Sequence, residues 1–187
     1  MSDGDASSFY PHDERGFSRE AERYRGQRLA VLVDTANMYH SAKKNFDGGR
    51  LNYQLLLDEI CGTRALVRAI AFVVTIASPD DEGRGNHGFI EALRKTGFET
   101  REKIIHRYDG YTRGGDWDVG LALCAAELAT RVDTIALVSG DGDFVELIEY
   151  LKAHGVRTEV YAFEGSVSGD LARRADHIYQ LGEEWLL

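Results

Sequence analysis

Runs of adjacent apolar residues alternate along the chain with segments whose apolar positions recur every three or four residues. Leu29 to Val33 is unbroken and β-type, the pattern of a strand buried on both faces. Val67 to Ile76, Thr134 to Ser139 and Val156 to Phe163 read as further strands. Phe98 to Ile105 instead alternates apolar with charged residues, which predicts an exposed or edge strand. Ile178-Tyr179 has the length of a last, brief strand. Helical patterns lie between these runs. One carries Met38, Tyr39 and Ala42. Another carries Leu55, Leu56 and Ile60, opened by Asn52 as N-cap and closed by Gly62. Phe89, Ile90 and Leu93 mark a third, stopped by Gly97, and Leu147, Ile148 and Leu151 mark one that reaches His154. Asp116 to Thr130 is apolar almost all round and predicts a buried helix, and a short helix falls within Ser166 to Ala175. Strands alternating with helices predict an α/β domain with a mostly parallel sheet and right-handed crossovers.

Polar stretches complete the outline. Residues 1–27 are charged and poor in apolar side chains, which predicts a flexible N-terminal tail, with a short helix over Arg15 to Arg25, and leaves 28–187 as one domain. Ala77 to Asn86 and His106 to Gly115 read as loops able to border a site. No run approaches the ~20 apolar residues of a membrane span, and the polar start is no signal peptide. Cys61 and Cys124 form neither a disulfide framework nor a zinc signature, which suits a reducing, cytoplasmic setting. A net charge of -9 counts against a long duplex footprint, because such binding works by counterion release from a basic face.

Acidic residues occupy the places where strands turn into helices. Asp34 ends the first run, Asp141 and Asp143 follow Leu137-Val138-Ser139-Gly140, and Asp116 and Asp118 open another helix. No GxGxxG or GxxxxGK[ST] stands at such a turn, and carboxylates there repel phosphate unless a cation intervenes. Each acid alone has a simpler role, since Asp143 with Glu146 has capping-box spacing and Asp116 or Asp118 complements a helix N-terminus. Asp34 fits that role less well, because it ends a strand expected to be fully buried. If the first and fourth strands are neighbours, Asp34 and Asp141 meet at a topological switch point. Carboxylates ~4 Å apart repel by about 4 kcal/mol at an effective dielectric of 20. Three or four of them call for a counter-charge, and hard oxygen donors select Mg²⁺ or Mn²⁺. Such an ion polarises a phosphoryl oxygen and acidifies water, the chemistry of phosphodiester hydrolysis.

Three motifs carry a resemblance: Val33-Asp34-Thr35-Ala36-Asn37, Asp116-Trp117-Asp118-Val119-Gly120-Leu121-Ala122 and Ser139-Gly140-Asp141-Gly142-Asp143-Phe144. In this order and spacing, from about Leu29 to Leu181, the chain resembles the NYN domain family of the PIN-like nuclease superfamily, in its LabA-like branch. The resemblance implies a PIN-like three-layer α/β/α sandwich around a central, mostly parallel sheet. It implies metal-dependent ribonuclease activity, with Asp34, Asp118, Asp141 and Asp143 as the catalytic and metal-holding cluster. Asn37 would orient a carboxylate or touch substrate, and Ser139 would place its hydroxyl at the rim. Many relatives carry a further Asp six residues after the second motif's Asp. Here Cys124 stands there, a poor ligand for Mg²⁺, and Asp116 is the residue placed to compensate.

Tyr108 and Tyr111, flanked by Arg107 and Arg113, have the aromatic and basic interleaving that stacks unpaired bases. Arg84, Lys95, Arg173 and Arg174 fit scattered surface positions as well as a groove. Lys43, Lys44 and the histidines read as solvated or packing residues, with either lysine near enough to approach a scissile phosphate. The expected function is endoribonucleolytic cleavage of single-stranded or structured RNA. The alternative is a catalytically weak domain that binds RNA or a protein partner as a regulator. A homodimer is open, and no membrane partner is expected. A phosphotransferase with Asp34 as nucleophile is less well supported, because the Asp-x-Asp expected after that strand is Asp34-Thr35-Ala36 here.

Overall fold

In the computed structural model, which describes residues 23–77, 86–108, 111–112 and 116–187, the first apolar run becomes β1 (Arg28–Asp34), buried from Leu29 onward. The predicted flexible tail and its helix lie outside the described residues as far as residue 22. From Tyr24 the chain is held, since Gly26 N–H donates to the Thr63 carbonyl and Arg157 donates to the Tyr24 hydroxyl. α1 (Thr35–Asn45) and α2 (Tyr53–Cys61) follow, the latter capped by Asn52, whose side chain accepts from Leu55 N–H. Gly62 ends α2 at φ 47°, a conformation that favours glycine. Then come β2 (Ala65–Ala77), α3 (His87–Thr96) and β3 (Glu99–Tyr108).

The segment read as a loop from His106 to Gly115 is in part a hairpin, because β3 runs on to Tyr108 and pairs antiparallel with β4 (Tyr111–Thr112). β3 is therefore next to the sheet's edge, as its alternation predicts. The chain continues through α4 (Asp118–Leu128), β5 (Thr134–Val138), a 3-10 turn (Gly142–Phe144) and α5 (Val145–Ala153). β6 (Arg157–Phe163), α6 (Gly169–Arg174) and β7 (His177–Leu181) complete the sheet, and a 3-10 turn (Glu183–Trp185) follows.

The strand order is β4-β3-β2-β1-β5-β6-β7, and every pairing except β3 with β4 is parallel. The chain grows outward from β1 through β2 and β3, then crosses back to β5 on the other side. That reversal is the switch point of a doubly wound sheet. Alternate residues of β1 feed two cores. Leu29, Val31 and Val33 join Met38, Leu56, Ile60 and Leu93 of α1 to α3, while Ala30 and Leu32 join Leu121, Leu128, Ile148 and Leu171 of α4 to α6. The result is the expected three-layer α/β/α sandwich. α4 departs from prediction in two ways. It begins at Asp118 rather than Asp116, and only one side of it is covered: Leu121, Cys124, Ala125 and Leu128 are buried, whereas Val119 is 71% and Leu123 62% exposed.

β2 outruns β1. Their pairing ends at Asp34 with Phe72, while β2 continues to Ala77 alongside β3. Side chains satisfy the carbonyls exposed there: Thr35 Oγ1 donates to Phe72 O at 2.7 Å, Trp117 Nε1 to Val73 O at 3.0 Å and Asn86 Nδ2 to Val74 O at 3.0 Å. No described helix is long and apolar enough to cross a membrane.

Candidate active site

β1 and β5 lie side by side to their ends, with Val33 opposite Val138, so Asp34 and Ser139 leave the sheet together. Asp34 is 8% exposed. Its Oδ1 accepts the Asn37 N–H at 3.1 Å, which caps α1, and the Ser139 hydroxyl faces its Oδ2 at 3.4 Å. Burial pushes the Asp34 carboxyl above its ordinary value and the Asp141 charge adds to this, against the pull of the backbone donors. Asn37 then ties the two strand ends together, its Oδ1 accepting the Gly140 N–H at 3.0 Å. The Asp141 N–H donates to Ser139 Oγ at 3.2 Å, and Asp141 Oδ1 accepts the Asp143 N–H at 3.0 Å, capping the 3-10 turn.

Gly140 is needed for close approach. A Cβ there would stand 2.5 Å from the Ser166 carbonyl oxygen, so only glycine lets the loop after β6 lie against this turn. The Ser168 N–H donates to Gly140 O at 2.9 Å and fastens it. The third segment is the start of α4. Trp117 packs edge-on against Phe72, and Lys103 Nζ donates to Asp116 O at 2.7 Å. Gly120 leaves room for the indole, since a Cβ would come within 2.5 Å of it. These contacts aim Asp118 at the strand ends. Its carboxyl is pushed up to about 6, first by burial and then by the charges of Asp116, Asp34, Asp141 and Asp143.

The three segments enclose one cleft of about 540 Å³, lined by Asp34, Asp116, Asp118 and Asp141. Four of the five acids singled out from sequence therefore face one space. Asp143 does not line it, because its side chain is exposed at the outer edge of the turn, although its charge reaches Asp118. Ser139 is corrected outright: it is fully buried beneath the floor, where its hydroxyl serves Asp34 and Asp141 and cannot form a rim. The capping alternatives also resolve. α4 and α5 have no side-chain cap bond, so neither Asp118 nor the Asp143/Glu146 pair caps them, whereas Asp34 and Asp141 do cap the elements that follow them.

Among the described residues no three His, Cys, Asp or Glu side chains group as a metal-holding set. The four carboxylates nonetheless suit a hard divalent cation, being oxygen donors whose charges add to the effect of burial in raising Asp118. Cys124 is 2% exposed within the α4–sheet core and does not line the cleft. The side chains of Arg107, Tyr108 and Tyr111, and all of Arg84 and Arg113, lie outside the described residues. Arg173 and Arg174 pair with Asp170 and Glu149 away from the cleft. His40, Ser41 and Ser166 line it although the sequence assigned them no role there, and so does Lys44, one of the two lysines read as near enough to approach a scissile phosphate. For the α1 residues the available signal was their helical spacing from Asn37.

The NYN domain family profile matches residues 28–182. Over 170 residues the chain is 29% identical to the Low amplitude and bright protein LabA of Synechococcus elongatus, covering 86% of this chain and 87% of that protein. It is 29% identical over 171 residues to an uncharacterized protein of Methanocaldococcus jannaschii, covering 90% of this chain but 61% of the archaeal one. The crystal structure of a protein of unknown function from Vibrio parahaemolyticus superposes with a TM-score of 0.75 at 34% identity, covering 87% of this chain and 98% of that one.

Proposed function

Because this chain belongs to the NYN domain family of PIN-like nucleases, we propose that it is an endoribonuclease dependent on Mg²⁺ or Mn²⁺. One observation carries the reading. Asp34, Asp116, Asp118 and Asp141, from three separate stretches of chain, line a single cleft at the switch point of the sheet. Asp34, Asp118 and Asp141 would hold the ion, with Asp143 at the edge and Asp116 beside them. When bound, the ion would supply charge neutralisation at a phosphoryl oxygen and a more acidic water. The chain's own residues do the rest. The Asn37 N–H and the Ser139 hydroxyl fix the Asp34 carboxylate, the Asn37 side chain and Ser139 Oγ hold the backbone N–H groups of Gly140 and Asp141, and the Trp117 anchor fixes where α4 begins. Asn37 and Ser139 thus act as positioning residues.

The test is RNA cleavage by purified protein in Mn²⁺ against Asp34→Asn and Asp118→Asn. We expect loss of cleavage in both variants, and equal cleavage by all three proteins would refute the assignment. A second reading, a weak or inactive domain that binds RNA or a protein partner, draws on the absence of a closed ligand set among the described residues. RNA binding without turnover, indifferent to Mn²⁺, would favour it. Cys124 no longer supports it, because that side chain packs in the core. Cys124→Asp is accordingly expected to destabilise the fold by several kcal/mol rather than switch cleavage on, as a thermal melt will show.

A further inference from the structure

The cleft is not acidic throughout. Asn37, His40, Ser41 and Lys44 recur at helical spacing, so α1 presents one face to it, and all four residues line it. Lys43 and Lys44 are both exposed, but Lys43 does not line it. Both lysines occupy the last turn of α1, where either complements the helix dipole. That shared position does not account for one of them facing the same space as four carboxylates. Nor is Lys44 drawn onto an acid, for it makes no ion pair among the described residues. An ammonium kept clear of its acidic neighbours is available to an anion that enters with its own cation.

A single-stranded nucleic acid is such an anion, with one charge per nucleotide. The net charge of -9 leaves little for a long footprint, so a few local contacts must suffice. We infer that Lys44 is the backbone-phosphate contact of this cleft, holding a phosphate beside the one under attack in single-stranded RNA, with His40 one turn earlier lining the path between. The identity of the ligand rests on the nuclease reading given above, and the position of the contact rests on the geometry of α1.

The probe is a fluorescein-labelled single-stranded oligoribonucleotide bound to Asp118→Asn protein in Mn²⁺, titrated across about 50–200 mM salt. Adding Lys44→Gln should weaken binding and make the slope of log affinity against log salt shallower by about 0.7, the share of one single-strand phosphate contact. Lys44→Arg should restore the slope, and Lys43→Gln should leave it unchanged. An unchanged slope with Lys44→Gln, or an equal loss with Lys43→Gln, overturns the inference. Cleavage by the protein with Asp118 intact, measured in parallel, separates the two readings. If it cleaves while Lys44→Gln alters neither slope nor KM, the contact is refuted and the nuclease stands. If the slope depends on Lys44 but nothing is cleaved, the nuclease reading falls and the contact stands. If no RNA binds at all, both fall.

Discussion

Gly140 shows how one missing side chain organises the site. The Ser166 carbonyl occupies the place of its Cβ, so Gly140→Ala must push the loop after β6 away from the Asp141 turn. We expect a loss of about 1–3 kcal/mol in thermal or urea unfolding, with weaker cleavage than that loss alone explains. A different residue-scale device holds the other side of the sheet. Glu159 is 1% exposed and meets Arg64 at 2.8 Å, Arg157 at 3.0 Å and the Tyr161 hydroxyl at 3.1 Å. Removing the carboxylate leaves the almost wholly buried Arg64 guanidinium without its counter-charge, while Arg157 keeps its contacts with Tyr24. Glu159→Ala should therefore cost about 3–5 kcal/mol in denaturant unfolding and leave metal affinity of the remaining folded protein unaltered. Neither contact was readable in sequence. Gly140 stood inside a motif whose acids drew attention, and Glu159 follows Arg157 and Thr158 at the polar start of its strand without a buried partner in view.

At the scale of elements, the junction between α6 and β7 is latched by Asp176. Its carboxylate accepts the Thr158 N–H and hydroxyl, both at 2.9 Å, and faces Lys152 Nζ at 3.1 Å. Burial works to raise this carboxyl, but the Thr158 donors and Lys152 together hold it below its ordinary value of 3.8. Between the folded and unfolded values the unfolded chain binds more protons. Stability is thus fully present above about pH 4 and lost as pH falls through the depressed value. Asp176→Asn should lower stability at pH 7 by roughly 1 kcal/mol and flatten the acid limb of a pH–Tm curve. Elements with strong local signals were legible: the apolar run of β1, and α2 between Asn52 and Gly62. α4 was legible as a helix but not in its orientation, since a helix apolar all round does not say which side meets the sheet. The β3–β4 hairpin was missed because its strand residues are polar and its second strand has only two residues.

For the whole molecule, the crossing from β3 back to β5 matters most, because it lays the ends of β1 and β5 together and brings like charges into one cleft. The alternation of strands and helices made the parallel sheet readable, whereas the meeting of Asp34 and Asp141 followed only on the condition, met here, that β1 and β5 are neighbours. What was not readable is which neighbours face inward, such as Lys44 rather than Lys43. The gathered charge has a thermodynamic signature. Burial and the neighbouring carboxylates push the Asp118 carboxyl up to about 6 from its ordinary value of 3.8, so above that window its charge opposes folding. Metal-free Asp118→Asn should melt higher than the parent protein at pH 7.5. Mn²⁺ at a hundredfold over its Kd should stabilise the parent by about 2.7 kcal/mol, or roughly 5–10 °C, and EDTA should reverse it. Asp118→Asn should respond much less. A melt insensitive to Mn²⁺ in both proteins would remove the ion from the account.

β2 continues through Val73 to Ala77 after β1 has stopped, and at ~3.3 Å per residue these five rise about 16 Å beyond the sheet's shorter centre. Trp117 and Asn86 hold the Val73 and Val74 carbonyls at the base of this rise, and β3 pairs along it as far as Ala77. A broad, stiff rod laid across the molecule should meet this rise before it reaches Asp34, whereas a thin, pliable thread should drop behind it. Paired strands should then compete poorly for the cleft against a single strand of the same sequence, and equal competition by the two would refute this.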